Sequence, residues 1–209
     1  MPLVFIISAP SGSGKSTLVR MLLDAVDHVD FSISFTTRPP RKGETDGESY
    51  HFVSREEFLA MRDSGQMLEW AEVFGHFYGT PRSILDQARS RGHDLVLDID
   101  VQGAGQLKER LPEAVTVFIL PPSRAELEKR LRIRSLDEDA VIRRRLRDAS
   151  REIANYAAYD YVLVNDQLDR AAEKLKGIFL AERCRRQRAE AVVRPILQSF
   201  QDNEETETR

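Results

Sequence analysis

Apolar positions follow two alternating rhythms along the chain. Continuous apolar runs at 3–7 (LVFII), 95–99 (LVLDI) and 115–120 (VTVFIL), with a shorter one at 161–164, have the length and β-branched content of strands buried on both faces. Between them apolar residues recur every three or four positions. Leu18, Met21, Leu22 and Val26 predict a helix after Lys15, and similar patterns predict helices over 101–111, 124–131 and 138–157. This alternation predicts an α/β fold with a parallel sheet core flanked by helices on both faces.

Residues 31–80 break the alternation. FSISFTTR and YHFV have the character of short strands, and Ser54-Arg55-Glu56-Glu57 offers a capping box for a helix. Residues 67–78 are rich in aromatics and extended in character, Thr80-Pro81 marks a further helix start, and Gly92 its end. We read an inserted, mixed β-rich lobe over roughly 31–92 and a helical lid over roughly 126–154. Both are carried by a core of roughly 1–30, 93–125 and 155–190 within a single domain of 209 residues. Val192, Val193, Ile196, Leu197 and Phe200 form an apolar extension interrupted by Pro195. The segment 201–209 has the polar composition of a disordered tail.

Composition narrows the classes of function. With 41% hydrophobic residues the chain can bury a core, while a net charge of −3 gives no bulk attraction to nucleic acid or membrane. No apolar run approaches the roughly 20 residues of a membrane span, and the opening MPLVFIIS lacks the features of a signal peptide. Cys184 is the only cysteine, which excludes an internal disulfide and suits a reducing cytoplasm. The four histidines show no metal-ligand spacing, and the basic run 183–188 reads as a charged helix face rather than an RNA site.

The chemistry begins after the first strand, where SAPSGSGKST runs from Ser8 to Thr17. It nearly fits the phosphate-loop pattern G-x-x-x-x-G-K-[ST], with Ala9 in place of the first glycine. Backbone N–H groups of Ala9, Pro10, Ser11, Gly12, Ser13, Gly14, Lys15, Ser16 and Thr17 (Pro10 contributing shape only) would surround a nucleoside triphosphate. Lys15 would bridge the β- and γ-phosphates and the Ser16 hydroxyl would help hold Mg²⁺. Ala9 is expected to be tolerated, because that position only turns the chain off the strand, and a methyl fits wherever φ is negative.

A second group of polar residues follows. Ser34, Arg38 and Arg41 lie close together around Pro39-Pro40, and two guanidiniums so spaced could converge on one phosphate. Tyr50, Glu69, Tyr78 and Thr80 come next, then Asp98-Ile99-Asp100 at a strand end. Over residues 3–185 the chain resembles the guanylate kinases, through SAPSGSGKST, SFTTRPPRKGE, GESYHFV, FLAMRDSGQMLEWAEVFGHFYGT, LVLDIDVQGA, FILPPS, KRLRIR and YDYVLVND in that order.

The resemblance implies a transferase that moves phosphate from ATP to GMP or dGMP in purine nucleotide metabolism. Glu69 and Asp100 would then accept hydrogen bonds from guanine N1–H and its N2 amine, with Ser34 and Thr80 donating to O6. Arg38, Arg41, Tyr50 and Tyr78 would hold the acceptor phosphate, and Arg130, Arg134 and Arg145 would be lid arginines over the ATP phosphates. Asn165 would contact adenine, and Asp98 would lie near Mg²⁺ through water. Ile133 and Ser135 stand where the family often has glycines around the lid arginine, which implies a stiffer lid. Expected partners are ATP and GMP or dGMP, with no nucleic acid and no membrane; monomer and homo-oligomer both stay open. Two other readings also stay open: a related kinase of a ribose phosphate, and a catalytically dead scaffold domain.

Overall fold

A computed structural model describes residues 2–41, 43–73, 75–134 and 138–207, with side chains at 134 and 202–207 left aside. Its core is a five-stranded parallel sheet of β1 (Val4–Ser8), β2 (Val29–Ser32), β7 (Asp94–Asp98), β8 (Val115–Leu120) and β9 (Tyr161–Val164), in the order β2-β7-β1-β8-β9. Each neighbouring pair is parallel. The apolar runs are strands because both faces are covered. Phe5 and Ile7 pack with Leu18 and Leu22 of α1 (Lys15–Ala25) and with Leu175 and Phe179 of α7 (Leu168–Arg183). Ile6, Leu95 and Leu97 point the other way, onto Leu85 of α3 (Ser83–Arg91) and Leu107 of α4 (Val101–Arg110). Phe5 and Phe179 stack at 4.4 Å. The chain order reverses across β1, so the crevice beyond its C-terminal end opens between β1 and β7, where such sheets bind ligands.

The second sheet, order β4-β3-β6-β5, is mixed. Its strands are β3 (Phe35–Thr36), β4 (His51–Phe52), β5 (Met67–Val73) and β6 (His76–Pro81). Helix α2 (Arg55–Asp63) begins with the expected capping box, Ser54 with Glu57, and packs Phe58 against Met67 and Phe77. The other face of β5 meets the core, where Leu68 joins the cluster of Ile6 and Leu97. The lid helices α5 (Arg124–Arg134) and α6 (Asp139–Ile153) have their own small core of Leu127, Leu131, Ile142, Leu146 and Ala149.

Several boundaries differ from the sequence reading. FSISFTTR is not one lobe strand: Val29–Ser32 pairs with β7 as the edge of the core sheet, and only Phe35–Thr36 joins the lobe. Thr80 and Pro81 end β6, and the helix begins two residues later at Ser83, because Thr80 pairs across the hairpin with Glu69. Gly92 does cap that helix, at φ 68°. The polar end, expected to be disordered, continues as helix α8 (Arg186–Glu207), which runs through Pro195 without a break.

Candidate active site

The loop after β1 owes its shape to two glycines. Gly12 and Gly14 have φ of 90° and 89°, and Gly14 caps α1 with no side chain covering the first N–H groups of that helix. A helix start left open in this way attracts anions. Ala9 needs no such freedom: among the described residues His28 is the only non-glycine with positive φ. The loop is held from outside its own sequence. Asn165, beyond β9, donates from Nδ2 to the Ser13 carbonyl at 2.8 Å, and a methyl on Gly14 would strike that amide.

A cleft of about 660 Å³ lies beside this loop. It is lined by residues 9–16, by Ser34, Arg41, Tyr50, Glu69 and Tyr78 from the lobe, by Asp98 and Asp100 from the end of β7, and by Arg145 and Glu152 from the lid. A second hollow of about 280 Å³ joins Gly12, Gly14, Thr17, Arg130, Ile133, Asn165 and Leu168. The fold thus brings together residues more than 150 positions apart in sequence, from Ala9 to Asn165.

The acceptor side is built around a buried carboxylate. Glu69 is 3% exposed and sits directly opposite Thr80 in the β5–β6 hairpin, whose hydroxyl donates to Glu69 Oε1 at 2.6 Å. The register slips between Met67 and Glu69, and Arg110 donates to the Leu68 carbonyl at this bulge. On the far side Gly103 of α4 leaves room for the carboxylate; a methyl there would overlap Glu69 Oε2. Asp100 caps α4 by accepting from the Gly103 N–H at 2.8 Å. Burial above all, with the nearby Asp100 charge, pushes the Glu69 carboxyl up to about 7 against the opposing hydrogen bond from Thr80.

Beside this pair stands a basic and phenolic group. Arg38 is almost buried; it donates to the Tyr78 hydroxyl at 3.2 Å and to Glu44 at 2.8 Å, and its guanidinium lies 5.5 Å from the Tyr50 ring centre. Glu44 also accepts from the Arg41 N–H at 2.7 Å, so one carboxylate ties both arginines of the turn. On the donor side, Lys15 forms an ion pair with Asp98. Arg145 reaches across from the lid to the Ser11 hydroxyl at 2.6 Å. Arg130 pairs with Glu126 and donates to the Asn165 carbonyl at 3.0 Å. The Arg134 side chain and Ser135 lie outside the described residues.

Three of the expected site residues also make contacts within the protein. The Thr80 hydroxyl, expected at O6, donates to Glu69. The Asn165 amide, expected at adenine, holds the phosphate loop. Arg38, expected at the acceptor phosphate, bonds the Tyr78 hydroxyl and lies over the ring of Tyr50, and both tyrosines line the cleft. Two contributors escaped the sequence reading. Glu44 was visible as the last residue of RPPRKGE, yet only its pairing with Arg38 shows its use. Glu152 lies two helical turns beyond Arg145, hence on the same face of α6, and that spacing was the available signal. Burial first, then Asp100 and Asp148, hold its carboxyl up at about 7, while Lys15 pulls it down.

A phosphate loop at the switch point of a parallel sheet, facing a buried glutamate beside a half-buried aspartate and an arginine–tyrosine cluster, defines a phosphotransferase acting on a small phosphorylated acceptor. The guanylate kinase family model matches residues 2–182. A guanylate kinase of Koribacter versatilis is 57% identical over 88% of this chain and 80% of its own length. One from Geobacter metallireducens is 53% identical over 87% and 90%. The crystal structure of guanylate kinase from Anaplasma phagocytophilum superposes with a TM-score of 0.76, at 38% identity, covering 90% of this chain and 89% of that one. The chain belongs to the guanylate kinase family.

Proposed function

We propose that the cleft transfers the γ-phosphoryl group of ATP to GMP or dGMP, and that Glu69 and Asp100 choose the acceptor. Guanine offers N1–H and an N2 amine along one edge, and two carboxylates side by side accept from both. Adenine has no hydrogen at N1 and no amine at C2, so it would leave a buried acid unpaired at about 1–3 kcal/mol for each lost partner. Thr80 turns Glu69 toward the cleft, and Ser34 remains to donate to O6. Arg41, Tyr50 and Tyr78 hold the acceptor phosphate, with Arg38 fixing Tyr78.

The donor lies along residues 9–17 with its adenine toward the hollow of Arg130, Ile133 and Leu168. Lys15 moves from Asp98 to the phosphates, and Arg145 moves from Ser11 with the lid. Arg130 and Arg134 complete the positive rim, the latter assigned through the family motif alone. An acceptor phosphate oxygen attacks the γ-phosphorus in line while the bond to the ADP oxygen breaks. The nucleophile is already anionic, so no general base is needed. Ser16 and Asp98 supply hard oxygen donors that suit Mg²⁺, and such an ion takes most of its ligands from water and phosphate. When bound, it neutralises charge on the β- and γ-phosphates.

Among the described residues no helix is long and apolar enough to cross a membrane. We place the enzyme in the cytoplasm, with nucleotides and not nucleic acid as partners. Much of the basic run is engaged within the fold, Arg183 with Asp94 and Arg185 with Glu182. The observation that carries the reading is the convergence of Glu69 and Asp100 with the phosphate loop in one cleft. A panel of GMP, dGMP, AMP, CMP and UMP with MgATP tests it. GMP and dGMP should be preferred, and Glu69→Ala should cut the GMP-to-AMP ratio of kcat/KM by about 100-fold. An unchanged ratio in that variant removes Glu69 from base recognition.

A further inference from the structure

Away from the cleft, at the N-terminal end of the core sheet, His28 and His93 stand side by side. His28 immediately precedes β2 and His93 immediately precedes β7, and the two strands open in register, Val29 opposite Asp94. Both backbones are fixed. The Asp94 N–H donates to the His28 carbonyl at 2.9 Å, and Arg183 of α7 donates to the same carbonyl at 3.3 Å. His93 follows Gly92, the left-handed cap of α3, and its N–H closes that helix on the Ala88 carbonyl at 3.0 Å. His28 itself sits at φ 58°, in a region that favours glycine. Such a conformation is held where the surrounding structure has a use for the side chain it carries.

The two rings are placed as a chelating pair. His28 Nδ1 and His93 Nε2 are 3.4 Å apart, with ring centres at 5.3 Å. Two imidazole nitrogens on one tetrahedral zinc ion lie about 3.3–3.4 Å apart, with ring centres at about 5.2 Å. Rings meeting head-on through a hydrogen bond of the same length would have centres about 5.7 Å apart. The other nitrogen of His93, Nδ1, lies 3.0 Å from Asp30 Oδ1. An ionised carboxylate only accepts, so in the neutral ring Nδ1 carries the hydrogen and the Nε2 lone pair faces His28. A carboxylate behind a histidine in this way orients the ring and raises its basicity toward a metal. The nearby cations are matched, Arg91 by Asp30 Oδ2 at 3.2 Å and Arg183 by Asp94 at 2.7 Å. We propose that His28 Nδ1 and His93 Nε2 bind one borderline divalent ion of the zinc type, with Asp30 orienting His93. Among the described residues no group of three His, Cys, Asp or Glu side chains could hold a metal. Water therefore completes the coordination, and the exposed His28 leaves access for it. The ion ties the half-buried edge strand β2 to β7, at the end of the sheet opposite the cleft.

Titration of the full chain with Zn²⁺ tests this. The parent protein carries Cys184→Ser, which removes an exposed thiol, and excess Mg²⁺ occupies the hard oxygen donors of the cleft. Calorimetry should show one Zn²⁺ per chain. His28→Gly, which relieves the positive φ, and His93→Ala should each weaken binding by at least about tenfold, and Asp30→Asn by about tenfold through the outer contact. Nitrogen NMR of the imidazoles should place the ion at His28 Nδ1 and His93 Nε2. Zn²⁺ should raise Tm in the parent and in neither histidine variant. Without Zn²⁺, both histidine variants should keep GMP kinase activity within about twofold, which also shows that they fold. No binding at about 1 mM Zn²⁺, binding that both histidine variants retain, an affinity unchanged by Asp30→Asn, or an ion on His28 Nε2 would each overturn the proposal.

Discussion

The two sides of the cleft are made of different material. The donor side is mostly backbone: Gly12 and Gly14 turn the loop, α1 presents open N–H groups, and Asn165 clamps the Ser13 carbonyl from the far end of the sheet. The acceptor side is mostly side chain: Glu69 from β5, Thr80 from β6, Asp100 from the head of α4, and Tyr78 braced by Arg38. A backbone cradle recognises phosphate, which every nucleotide carries, and needs only a few angles to be right. A side-chain site recognises one base edge and depends on each supporting contact. Side-chain identity should therefore matter little at Ala9, while one added methyl at Gly103 should matter a great deal.

The largest effect is expected where the donor side does rely on a side chain. Lys15→Ala should lower kcat by at least about 10²–10³-fold with the fold intact, because it removes the mobile charge that meets the phosphates. Steady-state kinetics with thermal melting would show this, and near-normal kcat would end the assignment of the loop. Next comes Gly103→Ala. The new methyl collides with Glu69 Oε2, so KM for GMP should rise about tenfold, equivalent to about 1.4 kcal/mol, with KM for ATP unchanged. Equal rises in both would mean general disruption rather than damage to the acceptor side.

Acidity should separate the sides further. A carboxyl held near 7 must be ionised to accept from guanine, so KM for GMP should rise severalfold from pH 8 to pH 6. The phosphate monoester titrates near pH 6 as well, so the part that vanishes in Glu69→Gln is the part due to Glu69. The same group affects stability in the opposite sense. Its folded pKa lies above the ordinary 4.5, so burial favours folding most below that pH, and the advantage is lost as pH rises through about 7. Glu69→Gln should thus raise Tm at pH 8 and leave it little changed at pH 4. Smallest of all, Ala9→Gly should leave kcat within about twofold and reduce stability by about 0.5–1 kcal/mol, through chain entropy alone.

The contrast also explains what could be read from the sequence. The phosphate loop was legible because its strand, glycines and helix are contiguous, and local rules govern each. The central strands β1, β7 and β8 were legible because burial on both faces leaves unbroken apolar runs. The edge strand β2 was misplaced: Val29, Asp30 and Phe31 are only half-buried, which gives a weaker pattern that merges into the lobe. The acceptor residues were recognised as a set through family motifs, yet their division of labour was hidden. That Thr80 serves Glu69 follows from the register of a bulged hairpin, and that Asn165 serves the loop follows from the order of strands. Both are long-range facts that no local pattern carries. Glu152 was passed over because a carboxylate on an arginine-rich helix has the pattern of a solvated face until the cleft is seen beside it.

The most direct measurement is a crystal structure of the enzyme with GMP bound. Guanine N1 and N2 should lie within about 3 Å of the Glu69 and Asp100 carboxylates, a normal hydrogen-bonding distance, with the phosphate at Arg41, Tyr50 and Tyr78. A ring whose N1–N2 edge faces away from both acids would contradict the account at its centre.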